Sequence, residues 1–172
     1  MKEIDSIGLR ICSYQAVLFE KSIVDTECSS RVFVRRFMNS ELAKRMDNIG
    51  FLYDSLDVSD AIKEIEDQYG ISSYGAEKFS AEEMHWIGYI YRYWAYVTEK
   101  SSKQIYKIMK PDELRKLYFP YHSLDPLQAI ERIMETMNPG NQTEMTDIEK
   151  GVIALRKVRN NRNKIRQNEK RN

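Results

Sequence analysis

A chain of 172 residues, 42% hydrophobic and 31% charged, holds enough apolar material for one core or for two small ones sharing an interface. It has no apolar run near the roughly 20 residues of a membrane helix, and the opening Met1-Lys2-Glu3-Ile4-Asp5 lacks the basic-then-apolar layout of a secretion signal. The two cysteines, Cys12 and Cys28, have no metal-ligand spacing and build no disulfide framework. Both are expected as reduced thiols in a cytoplasmic protein, a single bridge between them being the lesser alternative.

The formal net charge of +1 hides a split. Residues 150–172 carry nine Lys or Arg against one acid, Glu169, a net of +8; of the 27 basic and 26 acidic residues in the chain, 18 and 25 then lie elsewhere, a net of −7. An acidic body with a basic terminus points to an interaction arm.

In chain order, Ile7, Ile11, Tyr14 and Leu18 form an apolar stripe at helical spacing. Ser29 or Ser30 suits the N-cap of a segment with Val32, Phe33 and Phe37 on one side, and Ser40 that of a short helix with Leu42 and Met46 inward. A helix with Ala61, Ile62, Ile65 and Tyr69 on its buried side follows and ends at Gly70. Ser80-x-x-Glu83 is a capping box that starts a helix through about Glu99. Ser102 starts another, with Ile105, Ile108 and Met109 apolar. Pro111 with Asp112 and Glu113, and Pro126 after Asp125, read as first helical turns. The last of these helices runs to about Met137 and stops at the linker Asn138-Pro139-Gly140-Asn141. Thr146-x-x-Glu149 then opens a basic helix whose last turns fray. Val32-Phe33-Val34 is the only strand-like run, so the fold class expected is all-α.

A repeat runs through this order. Tyr53-Asp54-Ser55-Leu56-Asp57 with Ala61, Ile62 and Ile65 recurs as Tyr121-His122-Ser123-Leu124-Asp125 with Ala129, Ile130 and Ile133, seven identities in thirteen positions at a shift of 68. Ser29-Ser30 with Glu41-Leu42 echoes in Ser101-Ser102 with Glu113-Leu114 at a shift of 72. Two related helical units, 1–70 and 80–137, followed by a basic C-terminal helix at 143–172, are the organisation this predicts. The repeated patch reads as a site or, more economically, as a device for starting helices, with Asp57 and Asp125 at N-caps and Leu56 and Leu124 stapling against Ala61 and Ala129.

Few residues suggest chemistry. His85 and His122 are the only histidines, and neither has a local acid–base constellation; no Gly-rich phosphate loop or metal-site spacing occurs. No catalytic residue, metal or cofactor is therefore expected. Trp86, Tyr89, Tyr91, Tyr93, Trp94 and Tyr96 crowd one helix that reads as a buried central element or as a partner surface. In the second reading Trp86, Tyr89, Arg92 and Tyr93 are the binding residues, being of the types that dominate interfaces. Arg156, Lys157, Arg159, Arg162, Lys164 and Arg166, interleaved with asparagines, suit a nucleic acid, an arm that orders on a protein partner, or a solvated terminus.

The long helix from Trp86 to Trp94 is followed by Ser101-Ser102-Lys103-Gln104-Ile105-Tyr106, then Leu114-x-x-Leu117-Tyr118-x-x-Tyr121-His122-Ser123-Leu124-Asp125 and an Ala-Ile-x-x-Ile helix. This order resembles a family of small helical bacterial proteins encoded beside ADP-ribosyltransferase-like toxins and taken as their antitoxins. That family's pattern is a Ser-capped helix ending in Val-Tyr, then Tyr-Asp-x-Leu-His-Thr. Here Tyr53-Asp54-x-Leu56 and Tyr121-x-x-Leu124 match. Asp57 and Asp125 replace the histidine and no threonine follows, so nothing attached to that His-Thr pair is carried over. The resemblance covers most of 80–137, more thinly 7–69, and not the tail. It implies a non-enzymatic protein that occludes a toxin partner. The rival class is a nucleic-acid-binding regulator that works through the basic tail.

Overall fold

A computed structural model describes residues 1–48 and 56–137. Among these residues all regular structure is helical: α1 (Ser6–Asp25), α2 (Ser30–Met38), α3 (Glu41–Met46), α4 (Val58–Tyr69), α5 (Ala81–Thr98), α6 (Ser102–Ile108), α7 (Pro111–Tyr121) and α8 (Pro126–Met137). None of the described helices is long and apolar enough to cross a membrane. The expectations at Tyr53-Asp54-Ser55, at the 143–172 helix and at its six basic candidates fall outside the described residues. Residues 1–131 form one compact unit; of the second, 132–172, only the end of α8 is described.

Local side chains fix where the helices start. Asp5 opens α1 by accepting the Gly8 N–H at 2.7 Å, Ser29 opens α2 through Val32 N–H, and Ser40 opens α3 through Ala43 N–H at 3.1 Å. The strand-like Val32-Phe33-Val34 is therefore helical. Its start is capped, and Phe33 and Phe37, one turn apart, meet Phe19 of α1 edge-to-face with ring centroids 5.6 and 4.9 Å away. The Ser80–Glu83 box forms in both directions, at 3.2 and 2.9 Å. The repeated patch contributes the same cap twice: Asp57 Oδ1 accepts Ser59 N–H at 2.7 Å, and Asp125 Oδ1 accepts Leu127 N–H at 2.9 Å. Gly70, at φ 78°, lets the chain leave α4 where a side chain would be strained.

Some expected faces are rotated. α1 buries Ile11, Cys12, Gln15, Ala16, Leu18 and Phe19, whereas Ile7 is exposed and Tyr14 only half-buried. The face is recentred because α5, α4 and α2 all pack against α1. Tyr69 and Ile108 also lie outward, Tyr69 with Arg36 over its ring. α6 starts at Ser102 as expected, with Ser101 as its cap and Gln104 completing the box. Ser102 is instead buried and serves a different purpose.

That purpose is to hold Arg92. This α5 guanidinium is 2% exposed. Its Nε donates to Gln15 Oε1 of α1 at 2.7 Å, Nη1 to Asp47 Oδ1 at 2.7 Å, and Nη2 to Ser102 Oγ at 2.8 Å. Ser102 in turn donates its hydroxyl to Asp47 at 2.6 Å and its N–H to the same carboxylate. Burial pulls the pKa of Arg92 below that of a free guanidinium, and Asp47 opposes the shift. A charge in this position is tolerable only because its acceptors are preset. The network ties α1, α5, the end of α3 and the start of α6 to one point.

Beside it α1 and α5 touch backbone to backbone at Gly88. A Cβ there would meet the Gln15 carbonyl oxygen at 2.7 Å and Ala16 Cα at 3.0 Å, and Gln15 Nε2 donates to the Gly88 carbonyl at 3.1 Å. The aromatic-rich α5 is thus central, with Tyr91 and Trp94 fully buried and the Tyr91 hydroxyl donating to Met109 O at 2.9 Å.

Asp47→Ala should lower stability by about 3–5 kcal/mol, because it strands a buried cation. Urea unfolding reads this, and the paired change Arg92→Met with Asp47→Leu should cost less than Asp47→Ala alone; unchanged midpoints would dismiss the network. Gly88→Ala should also destabilise, by about 1–3 kcal/mol of overpacking, although alanine is the better helix former. A raised melting temperature would contradict the close approach.

Candidate functional site

The first turns of α5 present Glu82, His85, Trp86 and Tyr89 at the three- and four-residue spacing of one helix face. Opposite them stand Tyr118 of α7 and His122 at its C-cap, four residues apart, and Glu20 from α1 closes one side. With Ala81 these residues line an open cleft of about 360 Å³. Trp86 and Tyr118 are 5.7 Å apart between ring centroids and inclined at 75°, making a corner. His122 stacks on Tyr118 at 4.8 Å, and Tyr89 is backed by Tyr93 at 6.1 Å.

Hydrogen bonds decide how the imidazoles present themselves. His85 Nδ1 lies 2.8 Å from Glu20 Oε2. His122 Nδ1 lies 3.1 Å from the backbone oxygens of both Tyr118 and Phe119. Those oxygens only accept, so each ring carries its proton on Nδ1, and in the neutral form Nε2 is left as an acceptor. Glu82 is held below the usual carboxylate range by its own backbone N–H and then by the Ser80 hydroxyl. The lining thus holds two carboxylates, two imidazoles and three large aromatic rings, and no Lys or Arg.

A second cleft, about 650 Å³, lies at the start of α2 and α7 and includes Arg31, Arg35 and Lys110. Much of its charge is consumed internally. Arg31 pairs with Glu77 and, at 2.6 Å, with Asp112, while Arg115 reaches Glu77 at 2.7 Å and Glu83 at 3.0 Å.

Of the α5 residues expected at an interface, Trp86 and Tyr89 line the first cleft, and Tyr93 lies behind Tyr89, 7% exposed. Arg92 is not on that face: it is inside the molecule with its donors directed at Gln15, Asp47 and Ser102. Glu20, His85, Tyr118 and His122 were not expected there. The helical spacing of 82, 85, 86 and 89 was available as a signal, but the Glu20–His85 pair joins residues 65 positions apart and leaves no local trace.

Among the described residues no group of three or more His, Cys, Asp or Glu is gathered as for a metal ion. Cys12 and Cys28 are buried free thiols, and burial pushes Cys12 up to about 12. Comparison with family models, with curated proteins and with solved structures gives no match for this chain.

A thiol so placed is a packing group, since the thiolate is the nucleophile. Neither cysteine should react with Ellman's reagent in the native protein at mildly alkaline pH, and both should react in denaturing guanidinium chloride. Rapid native reaction of either would return it to the list of candidate nucleophiles.

Proposed function

We propose that this chain is a non-enzymatic protein-binding module of the antitoxin or immunity kind, which neutralises a toxin by occlusion. The observation that carries the reading is the open cleft in which Trp86 and Tyr89 face Tyr118. Half-buried tryptophan and tyrosine with few rotatable bonds supply contact area at low entropic cost and dominate measured interfaces. They stand here on α5, which also carries the buried Tyr91, Arg92 and Trp94, so the surface is held in place before a partner arrives. The net charge of −7 outside 150–172 complements a basic cleft of the kind that handles nucleic acids or dinucleotides, and would speed and orient the encounter. An ADP-ribosyltransferase-like toxin fits that description and the family resemblance. The basic arm then fastens to an acidic face of the same partner.

The rival reading, a nucleic-acid-binding regulator, rests on the tail alone, with nine basic residues against one acid. The two make opposite demands. Co-expression with an ADP-ribosyltransferase-like toxin from an adjacent gene, the partner the resemblance implies, should restore growth and give a complex that survives gel filtration. Trp86→Ala with Tyr89→Ala should weaken that complex about 30-fold or more, as loss of a hot spot does. A toxin still active in the presence of the chain overturns the proposal. DNA or RNA affinity that falls steeply with salt and vanishes on deleting residues 150–172 would favour the rival.

A further inference from the structure

We infer that the Trp86–Tyr118 cleft is a receptor for a single arginine side chain presented by the partner protein, an inference that rests on the protein-binding reading and narrows it to one chemistry. The cleft is lined by two carboxylates, two imidazoles, three large aromatic rings and the small Ala81, with no cationic Lys or Arg. Glu20 of α1 and Glu82 of α5 supply negative charge. Both imidazoles direct Nδ1 at Glu20 or at backbone oxygens, so in the neutral form each keeps Nε2 as an acceptor. Aromatic faces attract cations, tryptophan most strongly, and Trp86 and Tyr118 are inclined at 75° as two walls of a box.

Other occupants fit less well. An anion would be drawn by the N-terminus of α5, but two of the donors there are already bonded: Glu83 N–H on Ser80 Oγ, and Ser80 N–H on Glu83 Oε2. Glu82 adds a negative charge to the same turn, beside Glu83, whose charge is paired with Arg115. A metal ion would find two imidazole nitrogens but no gathered third ligand among the described residues. Between the two cationic side chains, arginine suits the site better than lysine. Its planar guanidinium stacks on rings, carries five donors in a fixed fork, and gives up its hydration more easily than an ammonium. A cleft of about 360 Å³ is at the small end of ligand sites, the size for one side chain and part of its stem.

The test uses the full chain labelled with nitrogen-15 and follows its two tryptophan indole N–H signals. Trp94, buried against the core, serves as the internal control for Trp86. Titration with an acetyl-Gly-Arg-Gly-amide peptide should move the Trp86 signal and leave Trp94 in place. The same peptide with citrulline, which keeps the shape and loses the charge, should bind about tenfold more weakly or worse. Glu20→Gln together with Glu82→Gln should weaken the arginine peptide by a similar factor while Trp94 stays unmoved. Equal response to arginine and citrulline overturns the inference, as does a Trp86 signal moved only by zinc ions or by a phosphoserine peptide. Because no toxin is present, peptide binding without rescue of growth would leave the cleft assigned and remove the antitoxin reading. Rescue without peptide binding would do the reverse.

Discussion

A guanidinium sealed inside a small helical protein forces the surrounding chain to supply acceptors in advance, and Arg92 draws them from three other segments. Gln15 comes from the middle of α1, Asp47 from the end of α3, and Ser102 from the first turn of α6. Each of these positions then has its own register fixed. Ser102 can turn its hydroxyl inward because Ser101 has already taken the capping role, and Gln15 spans the contact by donating to Gly88 O while accepting from Arg92 Nε. Unlike the apolar contacts around it, this cluster is directional. It therefore selects one arrangement of the helices among the several that hydrophobic packing would tolerate.

The same helix that is pinned from behind by Arg92 carries the cleft in front. α5 turns Trp94, Tyr91 and Ile87 into the core, and Trp86 and Tyr89 toward Tyr118. Rigidity and recognition thus share one element, and Tyr93, stacked under Tyr89, is the layer between them. Any side chain entering the cleft meets walls that have little freedom to rearrange.

How much of this the amino-acid order discloses depends on the range of each interaction. Caps are written within three or four residues, so Ser40, Ser80, Asp57 and Asp125 were readable, Ser29 to within its neighbour Ser30, and with them most helix starts. Asp5 was readable in principle but obscured by the stronger stripe beginning at Ile7. The exposed sides of α1, α4 and α6 were less readable, because which stripe is buried depends on which helices flank it, as Ile7, Tyr69 and Ile108 show. Arg92 was misplaced for a related reason: an arginine among aromatic residues looks like an interface until its distant acceptors are known. The cleft itself was visible by halves. Trp86 and Tyr89 stood out by composition, whereas Glu20, Tyr118 and His122 join them only through the packing of α1 and α7 against α5.

Gly88 has a consequence for how the chain comes into being. The surface of α1 that carries Gln15 and Ala16 is covered by α5 at Gly88, and the bond from Gln15 to Gly88 closes a span of 73 residues. At roughly 5–20 residues per second of synthesis, that surface waits about 4–15 s before its cover emerges. Contacts so distant in sequence also pay a large loop-closure entropy before they are rewarded, which slows folding. The nascent N-terminal half is therefore the aggregation-exposed stage of this protein's life, and the tight seat at Gly88 is where that stage ends.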